Sequence, residues 1–277
     1  MHRIDNQSAA TSLPTPKPLG PEGFFTAGDV NVGQSATIVE FDWLNTIQEE
    51  LMNIVLKGGL SSDKNTNTQV LQALGAMLTG AYSIVTVTQD IPVPPWATRI
   101  EYTLVGGGGG GAYCQSDGTN HRAGAGGGSG GYLEAQRPVT PGQILHCVIG
   151  AGGASDTAGT SSSLAFTGQW TASCGGGYPG TYFDPTHGDG GYGGAPSGGD
   201  LMSVGNPGEN SLGGTQITPA NGGPGPWGGG GLSGGGGGGD ATGPGGGGGG
   251  ASDTGASNVH YPGGAGYHGL LKYRFLP

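Results

Sequence analysis

The chain is poor in charge. Charged residues make up 10% of its 277 positions, and 9 Lys and Arg against 19 Asp and Glu give a formal net charge of −10. Between Gly106 and Leu271 the only basic residues are Arg122 and Arg137. No face can then neutralise a row of phosphates, so a nucleic-acid partner is not expected. Cysteine is scarce too. Cys114, Cys147 and Cys174 are odd in number and widely spaced, which supplies neither a disulfide framework nor a zinc pattern. No apolar run approaches the ~18 residues of a membrane-crossing helix. The stretch from Met1 to Gln7 lacks the apolar core of a signal peptide, and synthesis in a reducing cytoplasm is expected. No Gly-Lys-Ser/Thr follows any glycine run, which excludes a phosphate loop.

What the chain has is glycine. Of 67 glycines, 8 precede Gly106 and 59 follow from there on. The runs Gly106–Gly111, Gly234–Gly239 and Gly245–Gly250 are unbroken, and Gly124–Gly131, Gly175–Gly177 and Gly228–Gly231 are shorter or interrupted. Such runs either remain flexible tethers or stand as three-residue-per-turn extended helices whose backbone groups all point sideways. At about 3.1 Å per residue, six glycines span roughly 19 Å. A disordered linker is usually charged and poor in aromatics. These runs instead alternate with Tyr, Trp and aliphatic residues, and the chain closes on an alternating strand with Leu271, Tyr273 and Phe275 on one face. The expectation is an ordered bundle.

In chain order, the first 33 residues are punctuated by Pro and Gly and read as an extended arm. A helix is expected from Asp42, as N-cap, to Lys57, with Leu44, Ile47, Leu51 and Ile54 or Val55 inward. A second runs from Thr68 to Leu78, with Val70, Leu71, Leu74 and Met77 or Leu78 inward. Two narrow stripes make a thin core, and self-association follows as an expectation. Strands are expected at Ile84–Ile91, Arg99–Val105, Tyr132–Gln136 and Ile144–Ile149. The last two are read as a pair joined through a type II turn at Pro141-Gly142. The fold class is mainly β and irregular: a small N-terminal α-helical module, then a β base carrying a polyglycine-II helix bundle with distal loops. The boundaries fall at 1–80, 81–105 and 106–277.

Two regions resemble a known family. Arg3-Ile4-Asp5, Leu13-Pro14, Gly23-Phe24-Phe25, the stretch Phe41-Asp42-Trp43-Leu44-Asn45 to Gln48-Glu49-Glu50-Leu51, and Thr68 to Ala73 resemble the attachment region of bacteriophage and prophage tail fibre proteins. The remainder is similar to glycine-rich domains at phage fibre tips. The likeness lies in Val93-Pro94 through Arg99-Ile100-Glu101-Tyr102 into the Gly106 run, in Val139 to Gly153, and in Gly263 to Leu270. The tip adhesins of T-even-type phages are similar in composition. The resemblance implies a homotrimeric fibre of the virion, assembled in the host cytoplasm. Arg3, Ile4, Asp5, Phe24, Phe25, Trp43, Leu44, Gln48, Glu49 and Leu51 would attach it to tail or baseplate proteins. Its far end would bind a bacterial surface glycan or outer-membrane protein.

The segments between glycine runs are the candidate contacts, because loops on a rigid scaffold carry binding. They are Ala112 to Ala123, Tyr178 to His187, Ala195 to Leu212, Thr215 to Trp227 and Ala251 to Pro262. Within them Tyr113, Asn120, His121, Tyr178, Tyr182, Phe183, Asp184, Trp227, His260 and Tyr261 are the expected receptor-binding residues. The competing reading has these aromatics plugging the bundle ends or an interface. No cofactor and no metal site is expected, since the scattered His121, His187, His260 and His268 match no ligand spacing. Asp184 and Asp189 form a weak glycosidase pair, and a non-enzymatic chain is expected. A purely structural connector is the main alternative, with an ice-binding bundle behind it.

Overall fold

The computed structural model describes residues 1–79, 81–115, 121–182, 187–213, 217–218, 220–253 and 259–276. The chain divides into two compact units, Met1–Thr79 and Gly80–Pro277.

In the first unit an irregular arm precedes α1 (Phe41–Lys57) and α2 (Gln69–Thr79). Glu40, in extended conformation, is the N-cap of α1, without a side-chain bond. Asp42, expected as the cap, is already inside the first turn. Phe41 before it is helical, so the Asp42 carboxylate instead accepts the N–H groups of Trp43 and Lys17 at 2.8 and 3.3 Å. Lys57 closes the last turn, and Gly59 takes the left-handed conformation that ends helices. α1 and α2 pack together with Met52, Val55 and Ala73 buried. They approach closely, because a Cβ on Gly58 would lie 2.4 Å from that of Ala73. The expected inward stripes are displaced by this geometry. Small residues set the contact, so Leu44, Ile47, Leu71 and Leu74 are exposed, Leu71 by 71%, and the expected Leu78 side chain lies outside the described residues.

The second unit contains β1 (Ser83–Val85), β2 (Gln89–Pro92), β3 (Arg99–Val105), β4 (Cys114–Gln115), β5 (Arg122–Ala123) and β6 (Tyr132–Pro138). These are followed by β7 (Ile144–Val148), β8 (Ser162–Phe166), β9 (Trp170–Cys174), β10 (His187–Gly188), β11 (Pro196–Ser197) and β12 (Leu201–Ser203). The remainder are β13 (Ser211–Leu212), β14 (Gly234–Gly235), β15 (Ala251–Asp253), β16 (His260–Tyr261) and β17 (Leu270–Leu276). Two antiparallel sheets, β1-β17-β3-β6-β12 and β11-β9-β8-β7-β2, form a sandwich base. Ile100, Tyr102 and Leu104 of β3 share the buried face, as their alternation requires, and meet Leu133, Leu145, Leu164, Phe166, Leu271 and Phe275 in one core. Tyr102 stacks on Trp170 at 5.7 Å.

Two expectations fail here for one reason, the crossing of the chain between sheets. Ile84–Ile91 is not one strand. It splits into β1, beside β17, and β2, beside β7, with Val85 and Ile91 both buried in the shared core. β6 and β7 are likewise not partners, since they belong to opposite sheets. The turn between them is as expected, with Gly142 at φ +78° and the Gln143 N–H donating to the Thr140 carbonyl at 3.3 Å.

Beyond the sandwich the strands run on into extended glycine segments. The central one, 106–112, continues β3. Its N–H groups rotate through three neighbours at 2.8–3.1 Å. Gly106, Gly109 and Ala112 donate to Gly131, Gly128 and Ala125; Gly107 and Gly110 to Thr160 and Thr157; Gly108 and Gly111 to Tyr267 and Gly264. Each step of three along the donor is a step of three backwards along the acceptor, so these neighbours are antiparallel. The carbonyls face three other segments. Gly108 and Gly111 accept from Gly153 and Asp156, Gly107 and Gly110 from Gly177 and Gly180, Gly109 and Ala112 from Gly248 and Ala251. There the numbers rise together, so these neighbours are parallel. The central segment is ringed by alternating antiparallel and parallel partners, and no N–H of 106–112 lacks one. Segment 124–131 obeys the same period, donating in turn to 245–251, 175–181 and 206–209.

Glycine is needed here for space rather than for φ. None of the glycines in 106–111 or 124–131 has positive φ. A Cβ at Gly108 would lie 1.9 Å from the Gly246 carbonyl oxygen, and one at Gly110 1.8 Å from that of Ala154. Gly110→Ala should therefore lower stability by about 3 kcal/mol or more. Gly235, with negative φ and open space around its missing Cβ, should accept Ala within about 0.5 kcal/mol. Thermal unfolding of the two variants distinguishes them, and equal losses would remove the steric argument.

Candidate functional site

Hydrogen-bond direction sorts the loops by end. From the sandwich the chain ascends through 106–111 and descends through 124–131, leaving 112–115 and 121–123 at the far end. There β4 pairs with β16, β5 with β15 and β10 with β13. These short pairings bring together three of the expected contact residues. Tyr113 stacks on His260 with ring centroids 4.8 Å apart and planes at 17°, and lies 5.3 Å from Tyr182. Tyr261 pairs in register with Cys114 on the same edge. His121 is half-buried, and its Nδ1 has no hydrogen-bond partner among the described residues.

Arg122, not among the expected contacts, belongs to this cluster. Its Nη1 donates to the Tyr182 hydroxyl, its guanidinium carbon lies 5.8 Å from that ring, and it faces the buried Asp253 across β5 and β15. As one of two basic residues between Gly106 and Leu271, it carried a visible signal. Asp156 was also missed. Its Oδ1 accepts the Tyr113 N–H at 3.0 Å. The tetrapeptide Ala-Ser-Asp-Thr that contains it recurs at 251–254, and that repeat could have drawn attention to it.

Other expected contacts lie elsewhere. Trp227 sits at the sandwich end, edge-on to Tyr132 at 6.1 Å, beside the bridge between Gly225 and Gly228. Tyr178 stands within a lattice segment, on its flank, 58% exposed; its N–H donates to Tyr192, which is 77% exposed. Asn120, Phe183 and Asp184 lie outside the described residues. Two of the proposed loops are not loops throughout. Ala195 to Leu212 supplies β11 and β12 and then a lattice segment, with Gly205 and Gly208 donating to Gly194 and Gly191. Thr215 to Trp227 contains a further lattice segment, in which Gly222 and Gly223 donate to Gly231 and Gly127. Among the described residues no three His, Cys, Asp or Glu side chains converge as metal ligands.

A profile of the glycine-rich domain matches residues 84–275, well over half the chain. This chain belongs to the glycine-rich domain family. It is also 37% identical over 78 residues to the uncharacterized protein StfP of Escherichia coli (strain K12). That match covers 28% of this chain and 35% of StfP, so the chain spans about a third of that relative's length.

The helical unit lies outside the span matched by the glycine-rich domain. There Arg3, Ile4 and Phe25 of the arm meet expected attachment residues on α1. Arg3 makes a two-pronged ion pair with Glu49 at 2.6 and 2.7 Å, and the Ile4 N–H donates to Gln48 at 2.8 Å. Asp5 pairs with Lys64 at 2.7 Å, and Phe25 meets Trp43 edge-on at 4.9 Å. The Arg3 guanidinium holds the Glu49 carboxyl below its ordinary range. Phe24 is 99% exposed, Leu44 is exposed and Leu51 half-buried. A cavity of about 740 Å³ opens between the arm and α1, lined by Ile4, Leu13, Phe41, Leu44 and Gln48 among others.

The three thiols of the glycine-rich domain are packing groups. Cys114, Cys147 and Cys174 are free and buried, and burial raises each to about 12. The Cys174 Sγ donates to the Leu104 carbonyl at 3.1 Å. Thiolate is the reactive form. The folded protein should therefore titrate no thiol with Ellman's reagent at pH 8, and all three Cys once unfolded in guanidinium. Fast reaction of any of them in the folded state would contradict this.

Proposed function

We propose that the chain is a tail fibre of a bacteriophage or prophage. In this reading its helical unit joins tail or baseplate proteins, and its glycine-rich domain binds a bacterial surface glycan or outer-membrane protein. The three-residue rotation of hydrogen bonds supports reading the lattice as a polyglycine-II bundle. The observation that carries the reading is the gathering of Tyr113, Tyr182 and His260 at the end of the lattice farthest from the sandwich. Rings there lie beside short strand pairings rather than in the sandwich core, as suits a surface built to meet a partner.

The exposed Leu44, Ile47, Leu71 and Leu74 suit a homotrimer, in which three copies of the helical unit cover one another's apolar faces. The chain would then act as a non-enzymatic adhesin of the virion, with several weak sites engaging together.

Purified protein should bind host cells and block phage adsorption. His260→Ala with Tyr182→Ala should weaken that block about tenfold or more, on the scale of losing ring contacts at an interface. Trp227→Ala, at the opposite end, should leave it unchanged. A protein that neither binds nor competes would refute the receptor reading. A host range left unchanged when the distal loops are exchanged between related fibres would favour a structural connector.

A further inference from the structure

The lattice rows that reach the distal end do not all end on backbone. Along the central segment, every third N–H meets the same neighbour: Gly107 meets Thr160 and Gly110 meets Thr157. The next step pairs Tyr113 with Ala154. At that point the neighbour has turned, and the Ala154 carbonyl accepts the N–H of Thr157 at 3.0 Å and its hydroxyl at 2.9 Å. Oδ1 of Asp156 accepts the Tyr113 N–H instead, at 3.0 Å. A second row ends the same way. Gly269 and Gly266 donate to Gly150 and Gly153 at 2.8 Å, so Gly263 is due to meet the carbonyl of residue 156. Its N–H goes to Ser155 Oγ at 2.9 Å, and that hydroxyl donates to Asp156 Oδ2 at 2.9 Å.

Two adjacent side chains thus complete two rows where the backbone has turned away. Asp156 achieves this in a left-handed conformation, φ +60°, and is the one non-glycine residue with positive φ among the described residues. Asp and Asn tolerate that conformation better than other side chains. The Asp156 N–H also donates to the Gly111 carbonyl at 3.0 Å, so one residue grips the central segment at 111 and again at 113. Tyr113 carries the ring on which His260 stacks.

We infer that Ser155 and Asp156 form a side-chain cap on the glycine lattice, and that Asp156 is the positioning residue for the distal ring cluster. The cap stands on geometry alone; its bearing on adsorption rests on the receptor reading above. Asp156→Gly keeps the left-handed turn and removes the acceptor, whereas Asp156→Asn keeps both. In the wild type, the Tyr113 amide should exchange as slowly as those of Gly107 and Gly110. In Asp156→Gly it should exchange about tenfold or more faster, consistent with losing one charge-assisted hydrogen bond. The His260 ring protons should lose their stacking shift, while Gly107 and Gly110 remain protected. Asp156→Asn should restore both signals.

Overturning results are a Tyr113 amide at random-coil rate in the wild type, or wild-type exchange and His260 shifts in Asp156→Gly. The second would mean that Asp156 serves the turn alone. In adsorption competition, Asp156→Gly should lose about tenfold while Asp156→Asn stays within about twofold. Should the wild type itself fail to bind cells, the receptor reading falls while the exchange and shift measurements still decide the cap.

Discussion

An extended glycine backbone with three residues per turn has no partner for its own N–H and C=O groups. Inside a protein each must be paired or carry a desolvation cost of about 1–3 kcal/mol. The solution here is lateral. Neighbouring segments approach until carbonyls stand about 2 Å from where a Cβ would be, as at Gly126, Gly222 and Gly247. At those positions bonding and side-chain exclusion are one constraint, and glycine satisfies it. It also explains the scarcity of charge between Gly106 and Leu271, since a lattice interior holds no side chain to carry one.

That constraint decides what the remaining residues do. Where a row stops, a polar side chain takes over from the missing backbone. Asp240 accepts the Ala265 N–H at 2.7 Å, Asn210 that of Gly190 at 2.8 Å, and Glu209 that of Asn221 at 3.0 Å. Polar residues beside glycine runs therefore have a structural duty before any recognition role. The two copies of Ala-Ser-Asp-Thr show how far context directs this. At 154–157 the tetrapeptide turns back into the lattice. At Ala251–Asp253 the same residues form β15, with Ser252 and Asp253 opposite Ala123 and Arg122, because strands there offer an edge to pair with.

Much of this was legible in the residues. The period-two face of β3 and of the closing strand β17 and the ordered glycine segments followed from alternation and composition. The placing of Tyr113, Tyr182 and His260 beyond the lattice was legible because their segments are flanked by recognisable glycine runs. Trp227 was misplaced because finding its end of the bundle requires counting every pass of the chain. One ascending pass, Val204-Gly205-Asn206-Pro207-Gly208-Glu209-Asn210, is too poor in glycine to be recognised. On α1, the apolar stripe was readable but its orientation was not. Gly58 and Ala73 set the helix contact by their small size, and that leaves Leu44 and Ile47 outside it.

Amide hydrogen exchange at Gly107 to Gly111 tests the lattice most directly. All five N–H groups are paired and buried, so they should open only with global unfolding, at the slowest rates in the glycine-rich domain. Exchange of those amides at the rate of an unstructured peptide would contradict the lateral bonding on which the rest of the structure depends.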